Sequence, residues 1–153
     1  MNTFKYMMIT LLSFGLFPQP SFSNNLLLPS IQEAYANPKN EGVLFSNYYI
    51  LIDIGHGNIE ALSMTIPQGF GVINGISVID QDGNKVEMSY TIDNHLIRLS
   101  FNKLLHKENL KIVFKSVKYS NINTRSWLFH LSARLRGRSD FIPFGTARVN
   151  IYS

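Results

Sequence analysis

Apolar and polar residues alternate with a period of two along most of the chain from Asn47 onward. Tyr48, Ile50, Ile52 and Ile54 alternate with Tyr49, Leu51 and Asp53. Leu62, Met64 and Ile66 alternate with Ala61, Ser63 and Thr65, and Pro67 ends that run. Ile76 to Ile79 is a short apolar run. Val86, Met88, Tyr90 and Ile92 alternate with Lys85, Glu87, Ser89 and Thr91, and Ile97, Leu99 and Phe101 with Arg98 and Ser100. Leu110, Ile112 and Phe114 alternate with Lys111, Val113 and Lys115. In the last third, Trp127, Phe129, Leu131 and Ala133 fall on one face and Leu128, His130, Ser132 and Arg134 on the other. Ala147, Val149 and Ile151 then oppose Arg148 and Asn150. Each pattern predicts a half-buried strand, with Trp127 and Phe129 at the heart of the core.

Turn residues separate the runs. They are Gly55-His56-Gly57-Asn58, the glycines at 69, 71 and 75, Asp80-Gln81-Asp82-Gly83-Asn84 and Asp93-Asn94. Asn102 to Glu108 reads as a connection, and Ser120 to Thr124 as a polar lead into Trp127. About eight short strands with one buried face each predict an all-β fold, an antiparallel β-sandwich of Ig-like architecture. An orthogonal β-barrel is the alternative.

The beginning of the chain carries a different pattern. A lysine at position 5, an apolar run from Met7 to Phe17 and Ser21-Phe22-Ser23 predict a secretory signal peptide over residues 1–23. A second small-x-small triplet is Ala34-Tyr35-Ala36. The apolar run is too short to span a bilayer, so no stable membrane span is expected after cleavage. Residues 24–46 hold Pro29, Pro38 and Gly42 without a sustained period and read as an irregular arm, leaving 47–153 as the β-sandwich domain. Ser30 with Glu33 three residues on is a helix-cap pattern within that arm.

The absence of cysteine excludes disulfides, a Cys-ligated metal and a Cys nucleophile. Export to the periplasm or the extracellular space is the expected localisation.

The order of these pieces resembles the secreted, mostly cyanobacterial family known as domain of unknown function 2808. The resemblance runs from Leu62 to Tyr152. It is carried by a strand ending in Pro, Leu62-Ser63-Met64-Thr65-Ile66-Pro67, and by the apolar strand Ile76-Ser77-Val78-Ile79. A strand from Leu110 to Lys118 follows, leading into Tyr119-Ser120-Asn121, then the aromatic-rich Trp127-Leu128-Phe129. Phe141-Ile142-Pro143-Phe144-Gly145 and a last strand to Tyr152 close it. The family's Pro-rich turn is here Asn102 to Asn109, without Pro, and its Asn-Pro is here Ser120-Asn121-Ile122. The resemblance implies export and the fold and carries no activity.

Charge is distributed unevenly. Residues 24–97 hold two lysines against eight carboxylates, and residues 98–153 hold eleven bases against two acids. Lys107, Lys111 and Lys115 are expected along one strand's outer face, with Lys107 at its mouth. Arg134, Arg136 and Arg138 flank Gly137 in an expected loop, where guanidinium groups can fork onto carboxylate, sulfate or phosphate. These six residues form the candidate anion-binding set. An anionic polysaccharide, a lipid headgroup or an acidic envelope protein is the expected partner. A solvated basic face that discourages edge pairing is the plainer reading. Nucleic acid is not expected, because interleaved exposed aromatics are missing from the clusters.

Catalytic chemistry finds little support. There is no Gly-x-Ser-x-Gly elbow. Asp80 and Asp82 sit where a turn calls for Asp on backbone grounds. A non-catalytic binding or structural module is therefore expected, and nothing in the sequence calls for a cofactor. The four histidines, His56, His95, His106 and His130, show no His-x-His or His-x-x-x-His spacing. Asp53 with His56 is the one local metal-ligand pair, on which an alternative copper-handling role would rest. Tyr48, Tyr49, Tyr119 and Phe141 are aromatics that, if grouped near strand ends, would suit a contact patch.

Overall fold

The computed structural model describes residues 28–38, 45–71, 73–118 and 126–151. They form nine antiparallel strands: β1 (Ser30–Asn37), β2 (Phe45–Asp53), β3 (Ile59–Thr65), β4 (Gly75–Ile79), β5 (Met88–Asp93), β6 (Leu96–Leu105), β7 (Asn109–Lys118), β8 (Ser126–Leu135) and β9 (Ile142–Asn150). Two sheets pack face to face, one ordered β1-β2-β7-β4 and the other β5-β6-β3-β8-β9. The chain is an Ig-like antiparallel β-sandwich. The predicted signal peptide lies outside the described residues.

The alternation read from the sequence is the alternation of burial. Tyr48, Ile50, Ile52 and Ile54 are buried, as are Trp127, Phe129, Leu131 and Ala133 on the opposing sheet. Fully burying each of the larger apolar side chains contributes about 1.5–3 kcal/mol. The centre of the aromatic core is Phe70, on the glycine-rich β3–β4 connection. Its ring meets Tyr48, Trp127 and Phe129 edge to face, with centroids at 4.9, 5.3 and 5.1 Å. Phe114 and Phe129 stack at 5.4 Å across the two sheets.

Four expectations change. The arm at 24–46 contains β1, which pairs with β2 from Ser30↔Asp53 to Asn37↔Asn47. A bulge between Ile31 and Glu33 hides it from a period-two reading, because the inward positions run Ile31, Ala34, Ala36. The Ser30-Glu33 cap pattern therefore starts no helix. Strand β6 runs on to Leu105 through residues read as a connection, and Leu105 pairs with Ile59. Strand β9 begins at Ile142 despite Pro143, which an edge strand tolerates. Strand β5 has no buried face: Tyr90 and Ile92 are 43% and 45% exposed.

The topology interleaves the acidic and basic parts of the chain. Basic β7 lies between β2 and β4, and β3 lies between β6 and β8. The second half therefore does not form a basic face of its own. Among the described residues no helix is long and apolar enough to cross a membrane.

Candidate functional site at the loop end

Antiparallel pairing brings three turns to one end of the sandwich: β2–β3, β6–β7 and β8–β9. Backbone hydrogen bonds join them. Lys107 N donates to Gly55 O at 2.7 Å, Ile54 N to Glu108 O at 2.9 Å and Arg136 N to Asn58 O at 2.9 Å.

Each turn has a local cause. In β2–β3 the Asp53 carboxylate accepts from Gly55 N at 2.8 Å, and Gly55 adopts a φ of 61°. This is an Asx-type turn, with the aspartate engaged by its own backbone. In β6–β7, Lys107 takes a left-handed φ of 53°, unusual for a residue with a Cβ. The bond to Gly55 O holds it there. In β8–β9, Gly137 supplies a φ of 77° and Arg138 N closes the turn onto Leu135 O at 3.1 Å.

The six basic candidates separate. Arg138 forks onto Asp140, with Nε to Oδ1 and Nη2 to Oδ2 both at 3.1 Å. The hydrogen bonds from Arg138 hold the Asp140 carboxyl below the ordinary carboxylate range and raise the Arg138 guanidinium in return. Arg134 belongs to β8 and not to the loop. Its Nε lies 3.7 Å from Glu60 Oε2, and its guanidinium carbon sits 5.5 Å from the centre of the Phe141 ring. Arg136 and Lys107 are exposed at the loop end, and neither side chain meets a carboxylate among the described residues. Lys111 and Lys115 follow along the outer face of β7, with roughly 13 Å between them at the rise of a strand. Lys111 lines a shallow cleft of about 500 Å³ with Gln32, Leu51, Asp53, Gln81 and Asn109. Lys115, paired with Gly75, sits farther along β7 from the loop end.

The fold also brings His106 to His56, edge to face at 6.4 Å between centroids. Sequence spacing carried no sign of this pair. It follows from β2 and β7 being neighbours. Asp53, the predicted partner of His56, is occupied with its own turn. Among the described residues no group of three or more His, Asp or Glu assembles. His56 and His106 are thus the side chains here that could ligate a transition metal, with water completing the shell. His130 lies elsewhere and contacts Thr146 Oγ1 at 2.8 Å through Nδ1.

The four aromatics do not group. Tyr48 is in the core, and Tyr49 stacks on Tyr35 at 4.8 Å on the outer face of its sheet. Phe141 lies under Arg134, and Tyr119 is outside the described residues.

No family model matches the chain, and no curated protein matches it. Solved structures match it by fold. The N-terminal domain of the Streptococcus gordonii adhesin Sgo0707 aligns with a TM-score of 0.53 at 7% identity, over 82% of this chain and 32% of that one. The RrgA Jo.In complex aligns at 0.50 with 10% identity, over 81% of this chain and 78% of that one. The collagen-binding domain of a Staphylococcus aureus adhesin aligns at 0.48 with 11% identity, over 80% and 95%. At these identities the likeness is one of fold alone.

Proposed function

We propose that the protein is an exported, non-catalytic binding module whose loop end contacts an anionic partner of the cell envelope or its surroundings. The observation that carries this reading is the convergence of Lys107 and Arg136. They come from different connections, are brought to one end by interloop hydrogen bonds, and neither side chain pairs with a carboxylate among the described residues. Arg134 and Arg138 each face an acid and support the site instead of contacting the partner. A polysaccharide carboxylate or sulfate, a lipid phosphate or an acidic protein surface offers the matching charge. The resemblance to family 2808 and the occurrence of this fold in surface adhesins support export.

The test is binding of the purified protein to isolated cell envelopes at low and high salt. Near 1 M salt the screening length falls to about 3 Å, so a contact made by exposed charges releases. Binding that persists unchanged in high salt overturns the reading.

A further inference from the structure

The register of β2 on β7 continues past the ends of both strands. Its last ladder pair is Asp53↔Asn109. One step on, Ile54 N donates to Glu108 O at 2.9 Å, and one step further Lys107 N donates to Gly55 O at 2.7 Å. The next step sets His56 opposite His106. Their rings meet edge to face with centroids 6.4 Å apart, and both residues are exposed.

This placement turns two loop residues into a chelating pair. Residues directly opposite each other on antiparallel chains bring their side chains together. The hydrogen bond from Lys107 to Gly55 joins the immediate neighbours of the two histidines. The Asp53 carboxylate and the left-handed Gly55 and Lys107 hold the turns themselves. The backbone entropy of bringing the rings together is therefore lost on folding, before any ligand arrives. His130, by contrast, has Nδ1 engaged by Thr146 Oγ1.

The spacing suits one shared ion. Bonds of about 2.0–2.1 Å from one nitrogen of each ring place the ring centres roughly 4.5–6.5 Å apart, according to the angle at the metal. The observed separation lies at the wide end of that range, and rotation of either exposed ring about its side-chain bonds narrows it.

We propose that His56 and His106 together bind one divalent transition-metal ion, with copper(II) held most tightly. Imidazole is a ligand for copper, nickel and zinc, and at a given nitrogen site affinity peaks at copper. Two adjacent nitrogens suit the tetragonal geometry of copper(II), with water at the other positions. Magnesium and calcium favour oxygen ligands and do not match this pair. Asp53 takes no part, because its carboxylate accepts from Gly55 N. The inference is independent of the anion-binding reading, since it uses the side chain of neither Lys107 nor Arg136.

Titration of the purified protein with copper(II), followed by calorimetry, tests this. One ion per chain is expected, with nickel and zinc weaker and magnesium without effect. A second ligand held beside the first binds intramolecularly, at high effective concentration, so H56A and H106A should each weaken copper binding about tenfold or more. Both residues are exposed on turns, so neither substitution touches the core. Copper should raise the urea midpoint of the parent protein, and this gain should shrink in both variants. H95A/H130A also removes imidazoles and should leave binding unchanged. The proposal is overturned if copper does not bind, if either single variant binds it as tightly as the parent, or if H95A/H130A weakens binding as much as they do.

Discussion

Asp80 shows how a carboxylate can look chemical in a sequence and be structural in the fold. Its Oδ1 accepts from Asn84 N at 2.8 Å and from Asp82 N at 3.0 Å, and its Oδ2 from Asn84 Nδ2 at 3.3 Å. These bonds, the Asn84 backbone N–H first among them, hold its carboxyl below the ordinary range. A lowered folded pKa means that the turn gains from the ionised form above the ordinary value and loses that gain as pH falls through the folded one. The amide resonances of Asp82 and Asn84 should therefore titrate with a midpoint below about 3.9. A midpoint at or above that value would show that the carboxylate does not hold the turn. The turn was legible in the sequence, since Asp-x-Asp-Gly-Asn supplies both an Asx acceptor and a residue for positive φ. Which arginines are paired was not. Glu60 reaches Arg134 because β3 pairs with β8, with Ala61 opposite Arg134, and only the topology sets that register.

At the scale of elements, regular alternation was legible and interruptions were not. Strands β2, β7 and β8 follow the pattern read from the sequence, because each presents one strongly apolar face. Strand β1 escaped because its bulge shifts the phase and its inward residues are small. Yet Ala36 is 1% exposed and Gln32 is on the surface, so the two positions should respond differently. A36D buries an uncompensated charge and should lower the stability measured by urea unfolding by about 3 kcal/mol. Q32D should stay within about 0.5 kcal/mol. Equal, negligible effects would return this segment to an irregular arm. Phe70 escaped for another reason. It lies among glycines on a connection, where periodicity carries no information, and only tertiary packing shows it beneath Tyr48 and Trp127.

The whole molecule resolves the charge asymmetry of the chain into something local. Weaving the basic strands among the acidic ones places Glu60 beside Arg134 and leaves no sheet that is basic throughout. Among the described residues, the exposed bases at the loop end without an ion pair are Lys107 and Arg136. The measurement that tests this account most directly compares two double variants in envelope binding at low salt. K107Q/R136Q and R134Q/R138Q remove the same formal charge, so any general effect of net charge is equal. A cation near an anionic surface contributes about 1 kcal/mol, so K107Q/R136Q should weaken binding roughly tenfold or more. R134Q/R138Q should leave it nearly unchanged. If both pairs weaken binding equally, or the second weakens it more, the loop end is not the contact surface.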